Sequence, residues 1–161
     1  MQVRTIRSIV YLGAGLGLIV SIFAALETYN ASLRGICSIN SFFSCSKVDT
    51  SGLTSTFGIP DYLIGVLGFI LIFVVAAIAE ARPRDRRWTY LLVVVTTLGL
   101  AVAGYFVYVE LALIGAFCVV CGASYAMGLV AWGGSLALLR ARPDERRRPS
   151  RGDRDDDPAD A

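Results

Sequence analysis

The chain has 161 residues, of which 55% are hydrophobic and only 17% charged, with 15 basic and 13 acidic side chains and a net charge of +2. That balance is far from that of a soluble domain. The absence of histidine removes Ser-His-Asp and Cys-His catalysis, haem ligation by His and the commonest zinc and copper sites, so cysteine chemistry is the main catalytic option left.

Residues 8–26, 62–79, 88–109 and 111–139 carry no Asp, Glu, Lys or Arg. Each run is close to or above the roughly 20 residues that cross ~30 Å of hydrocarbon. The last run exceeds one span, so its first residues, Leu111 to Ala116, read as a short turn. The expected fold is an all-α membrane protein, a bundle of four transmembrane helices at about 8–27, 60–79, 88–112 and 116–139 within a domain of residues 1–140. An outer loop over 28–59, with a short helix, caps the bundle. Helix 1 has the basic start of a signal peptide, but its apolar run is longer than a typical h-region and no clear small-x-small site precedes Glu27. Residues 141–161, with three prolines, seven acidic residues and six arginines, read as a disordered charged tail. Its acidic end, Asp155 to Asp157, tells against nucleic acid as a partner, while its Arg-rich start suits anionic lipid.

Basic residues set the orientation. Arg4 and Arg7 precede helix 1, Arg82, Arg84, Arg86 and Arg87 join helices 2 and 3, and seven arginines from Arg140 onward follow helix 4, against only Arg34 and Lys47 in the outer loop. The positive-inside rule makes both termini cytoplasmic in a multi-pass protein of the cell membrane. All four cysteines then fall at or near the extracytoplasmic face, where disulfides persist.

Cys118-Val119-Val120-Cys121 is a C-x-x-C expected in the first turn of helix 4, where unpaired N–H groups and the helix dipole favour a thiolate. Tyr125 lies four residues beyond Cys121, one turn deeper on the same face, where its phenol can donate a hydrogen bond to a carbonyl of a lipid-soluble ligand. Cys37 and Cys45 lie eight apart in the outer loop, and two pairs suggest a relay from water to a membrane-embedded acceptor. The alternatives are two static disulfides stapling the outer face, or a zinc site of four cysteines, which the lack of a second C-x-x-C disfavours. No metal is expected.

A quinone is the acceptor expected for a pocket among four helices at membrane depth. Tyr105, Phe106, Tyr108, Phe117 and Tyr125 are candidates to line it, all but Tyr125 reading equally as an interfacial aromatic belt. Glu110 reads as an interfacial carboxylate, with proton relay during quinone reduction as its alternative. Trp88 and Trp132 read as interface or packing residues.

On these residues the chain resembles the vitamin K epoxide reductase family in its short prokaryotic form. The matching elements are Cys37 and Cys45 at their offset, Cys45-Ser46-Lys47-Val48-Asp49-Thr50-Ser51, Phe57-Gly58-Ile59-Pro60 opening helix 2, and the C-x-x-C followed by Tyr125. The similarity covers roughly residues 8–139. It implies four catalytic cysteines: Cys121 next to the quinone, Cys118 its disulfide partner, Cys45 the loop thiol that exchanges with Cys118, and Cys37 the thiol that meets an external partner. It also implies quinone contacts from Tyr125, Ser51, Thr54 and Phe57, although an N-cap or solvated loop hydroxyl is an equal reading of Ser51. Thr54 stands where the animal enzymes have a quinone-contacting Asn, which tells against epoxide reduction. The DsbB-type oxidases carry their C-x-x-C in the first external loop, so this order of cysteines is similar to the vitamin K family instead.

The expected function is a quinone-dependent thiol-disulfide oxidoreductase. It oxidises a separate thioredoxin-like (DsbA-like) protein and passes the electrons to menaquinone, ubiquinone or a vitamin K type quinone, supporting disulfide formation in exported proteins. No fused thioredoxin-like domain is expected. The alternatives are a thiol-driven reductase of vitamin K quinone or its epoxide, and a non-catalytic scaffold with structural disulfides.

Overall fold

A computed structural model describes residues 3–30, 40–52, 55–56, 59–82 and 85–141 of the chain. Cys37, Thr54, Phe57 and the tail beyond Ala141 lie outside these residues. The order of elements is α1 (Val3–Tyr29), α2 (Cys45–Thr50), β1 (Ser55–Thr56), β2 (Ile59–Pro60), α3 (Asp61–Ala81), α4 (Arg86–Tyr108), a π-helical turn (Val109–Ile114) and α5 (Val119–Ala141). β1 and β2 form a short antiparallel pair, with Ser55 opposite Pro60 and Thr56 opposite Ile59.

Among the described residues four helices are long and apolar enough to cross a membrane: α1, α3, α4 with its π-helical extension, and α5. Less than a third of the most apolar stretch of each is buried inside the bundle. The outward face carries large apolar side chains, including Leu12, Ile19, Leu67, Val94 and Leu129. Water would penalise such a surface heavily, whereas hydrocarbon accepts it, so the protein is an all-α membrane bundle.

The four long helices close a ring in which α1 touches α5 and α3, and α4 touches α3 and α5. With lipid outside, little hydrophobic force drives one helix onto another, and close approach depends on small residues. A Cβ on Gly13 would stand 2.9 Å from the Ala131 backbone nitrogen, and one on Gly134 would meet Val10, so glycine lets α1 and α5 pack backbone to backbone. Gly17 accommodates the Phe69 ring of α3 in the same way. Around these contacts Ile6, Val10, Ala14, Phe69, Ile72, Leu92, Ala131 and Leu138 form one buried apolar cluster. Polar ties are few and placed between helices: Thr96 and Ser135 share a hydrogen bond at 3.0 Å, and the Trp132 indole N–H donates to Thr97 at 3.1 Å, which makes Trp132 an α5–α4 tie.

Helix ends follow local chemistry. Asp85 caps α4 by accepting the Arg87 N–H, and Asp61 sits in the first turn of α3 behind Pro60, where a negative charge suits the helix dipole. The stretch expected to be a short turn after the third span is instead a continuation of α4 in π winding. It ends at Gly115, whose φ of 65° reverses the chain in the left-handed region that glycine enters without strain. The Glu110 carbonyl accepts from Ala116 across this reversal at 3.1 Å.

Candidate active site

The loop that carries Cys45 is held against the start of α5 by backbone bonds. Asn40 Oδ1 accepts the N–H groups of Phe42 and Phe43, making a tight turn, and the Phe42 carbonyl accepts the Phe117 N–H at 2.8 Å. The Phe43 and Phe117 rings meet edge to face. Ser44 then caps α2 by accepting the Lys47 N–H, so Cys45 becomes the first residue of that helix. The outcome is a small buried cluster of Cys45, Val48, Ala116 and Cys118.

Cys118 is not within the first turn of α5, as the sequence suggests, but immediately before it. Its carbonyl accepts the Gly122 N–H at 2.9 Å, and its sulfur accepts the Cys121 N–H at 3.3 Å. These are the bonds of an N-cap residue, with sulfur in the place of a serine oxygen.

The Cys118 sulfur lies 3.0 Å from the Cys45 sulfur, although the two residues are 73 apart in sequence. Cys45 is disulfide-bonded, and Cys118 and Cys121 carry free thiols. A thiol therefore stands at attacking distance from a disulfide sulfur, the arrangement that exchange requires. Cys37 lies outside the described residues.

Cys121 faces the other way, into a cavity of about 270 Å³. One end of the cavity is polar, with Asp61, Tyr62, Cys121, Ser124 and Tyr125, and the rest is walled by apolar side chains such as Phe69, Ile72, Leu98, Val102 and Phe106. An amphipathic ligand with a polar head and a greasy body fits this division. Tyr125 and Cys121 share it, as helical spacing of four dictates. Phe106 lines it as well. Tyr105 and Tyr108 are exposed on the outward face of α4, and Phe117 instead packs its ring over Gly122. Ser51 is not among the lining residues: its hydroxyl donates to the Val48 carbonyl at 2.7 Å and closes α2. Thr54 and Phe57 lie outside the described residues.

Two carboxylates flank the thiol pair. Glu110, expected at the interface, is fully buried. It lies one turn beyond the buried Phe106 on the same inward face, where Oε2 accepts the Cys118 N–H at 3.0 Å and Oε1 accepts the Tyr125 hydroxyl at 2.9 Å. The phenol expected to donate to a ligand thus donates to a neighbouring side chain. Asp61 was not evident from sequence reasoning. Its Oδ1 accepts the Tyr62 N–H at 2.7 Å, and Oδ2 is 3.9 Å from the Cys121 sulfur. The available signal was an acidic residue placed directly after Phe57-Gly58-Ile59-Pro60, at the edge of a charge-free run. Among the described residues no three His, Cys, Asp or Glu side chains are grouped so as to hold a metal ion.

Fold and site together define a multi-pass membrane protein with a thiol pair set between a loop disulfide and an apolar cavity. The sequence model of the vitamin K epoxide reductase family matches residues 8–135, and the chain belongs to that family. Membership points to an oxidoreductase that works through thiols and is linked to quinones. A search of curated proteins gave no match.

Proposed function

We propose that the protein is a quinone-dependent thiol-disulfide oxidoreductase that oxidises a thioredoxin-like partner outside the cytoplasm. The observation that carries this reading is the 3.0 Å approach of the free Cys118 thiol to the disulfide-bonded Cys45, with Cys121 opening on the cavity at the other side. Two free cysteines argue against a pair of permanent staples.

The relay balances at each step. A partner dithiol reduces the loop disulfide of Cys37 and Cys45 and leaves as a disulfide. Cys45 then attacks Cys118 of an oxidised Cys118–Cys121 pair, releasing Cys121 as a thiol. Cys37 resolves the mixed disulfide and frees Cys118. The loop is now oxidised and the membrane pair reduced, which matches the bonding of Cys45, Cys118 and Cys121 in this structure. Finally the two thiols close to a disulfide and give two electrons and two protons to a quinone in the cavity.

The orientation follows from charge. Of the described arginines Arg4, Arg7, Arg82, Arg86, Arg87 and Arg140 lie at the end of the bundle away from the cysteines, and the positive-inside rule makes that end cytoplasmic. The site then faces an oxidising compartment of the cell membrane, where a separate thioredoxin-like protein has access to the loop.

The test uses purified protein with a reduced thioredoxin-like substrate and short-chain ubiquinone or menaquinone analogues. Quinol formation, followed by absorbance, is expected for the wild type and is lost in Cys121→Ala. Absence of turnover with every quinone, together with disulfides that resist exchange, sinks the reading.

A further inference from the structure

Glu110 is a fully buried carboxylate that the relay of sulfurs does not use, and its two oxygens bind two different parts of the site. One accepts the backbone N–H of Cys118, at the head of α5, and the other accepts the only proton of the Tyr125 phenol. A phenol has one proton to donate. While that proton points at an ionised Glu110, Tyr125 has none for a ligand carbonyl in the cavity it lines. Once Glu110 is protonated the bond reverses: the carboxyl donates to the phenol oxygen, and the phenol donates into the cavity.

We infer that Glu110 is a positioning residue which, through its hydrogen bond to Tyr125, switches that phenol from facing the protein to serving a bound quinone and replaces the proton the phenol gives up. The inference rests on the proposed quinone chemistry and adds a route for one of its protons. Closing Cys118 and Cys121 to a disulfide releases two electrons and two protons, and reducing quinone to quinol consumes two of each. The phenol gives its proton to the nearer quinone oxygen, and Glu110 returns a proton to the phenol. The carboxylate so formed, hydrogen-bonded to the Cys118 backbone N–H at 3.0 Å, takes up one proton shed by the thiols. The other thiol proton goes to the second quinol oxygen.

The surroundings bear on any pH dependence. Among the described residues the ionisable groups near Glu110 include Cys118 just before α5, Cys121 and Tyr125 on α5, and Asp61 at the start of α3. The short helix α2 brings the disulfide-bonded Cys45 and the apolar Val48 to this end, and its Lys47 is exposed. On α4 the neighbouring Phe106 is apolar, and Tyr105 and Tyr108 face outward.

Glu110→Gln separates this role from simple bracing. Its amide oxygen can still accept the Cys118 N–H, and its NH2 can donate to Tyr125, but it has no proton to transfer. The expected result is retained melting temperature and retained exchange between Cys45 and Cys118. Quinone affinity becomes independent of pH, and turnover falls about 10²-fold with the loss of one ionisation from the wild-type pH profile. In the wild type, affinity for a short-chain quinone should weaken about tenfold as pH rises through the ionisation of Glu110, the size of one lost hydrogen bond. Turnover of Glu110→Gln at the wild-type rate with an unchanged profile overturns the inference. If Glu110→Gln fails to fold, Tyr125→Phe decides, because the same ionisation must vanish there too, and its persistence overturns the inference. A wild type that makes no quinol sinks the functional reading instead; quinone binding then still decides, since affinity that does not change with pH overturns the role of Glu110.

Discussion

Among the described residues a tyrosine-glutamate pair stands near each end of the bundle, and the two differ in almost everything except the hydrogen bond. At the arginine end the Tyr11 hydroxyl donates to Glu80 at 2.8 Å, Arg7 completes an ion pair at 3.3 Å, and the Glu80 side chain is about half exposed. At the thiol end the Tyr125 hydroxyl donates to Glu110 at 2.9 Å, the third member is the Cys118 backbone N–H, and the carboxylate is fully buried. The first pair ties α1 to α3 where polar headgroups and water can solvate it. The second holds a charge-bearing group inside the protein at a substantial desolvation cost, and a fold retains such a group where it does chemistry.

The largest effect should come from the thiol end. Cys118→Ala is expected to reduce thiol-dependent quinol formation to background and to prevent any mixed disulfide with Cys45, while Glu80→Gln leaves quinol formation unchanged; both are read by quinol absorbance and by trapping of the mixed disulfide. The two tyrosines give the next and sharpest contrast. Tyr125→Phe is expected to slow turnover by about 10²-fold, the usual worth of a positioned proton donor, and to lower stability by about 1–3 kcal/mol because the buried Glu110 loses a donor. Tyr11→Phe should leave turnover intact and cost about 1 kcal/mol of stability or less, since water and headgroups can replace its bond to the half-exposed Glu80. Equal effects of the two substitutions on turnover would break the comparison.

Packing mutations give a third contrast, since they act away from either pair. Gly13→Leu forces a side chain into the Ala131 backbone and should lower stability by about 1–3 kcal/mol, seen as a lower melting temperature in detergent. Thr96→Val removes the buried bond to Ser135 and should cost only about 0.6 kcal/mol, typical of hydrogen bonds between membrane helices. The smallest change is expected for the stability of Glu80→Gln, about 0–1 kcal/mol and shrinking with added salt, as for other exposed ion pairs.

Much of the architecture was legible in advance because a membrane helix is specified locally. Runs without charge over 8–26, 62–79 and 88–109 partition into hydrocarbon whatever else the chain does, and α1, α3 and α4 with its π-helical extension contain them. The pairing of Tyr125 with Cys121 in one cavity follows from helical spacing alone. Glu110 was misjudged because sequence position places it at the end of a span, where carboxylates usually meet water. Helical spacing was the better guide: Glu110 lies four residues after the buried Phe106, on the inward face that Thr89, Leu92 and Thr96 also mark.

The sequence by itself determined the solvent of this protein, its four spans, the supply of cysteines and the absence of histidine, since these depend only on composition and on spacing within one helix. The resemblance implied exchange between Cys45 and Cys118, but only the tertiary structure brought their sulfurs to 3.0 Å across 73 residues, set Asp61 near Cys121 from the start of another helix, and gave one buried carboxylate to both the head of α5 and Tyr125. Those contacts exist because glycines let the helices close and a backbone bridge from Phe42 to Phe117 fixes the loop, and packing between distant segments is a property that no local pattern encodes.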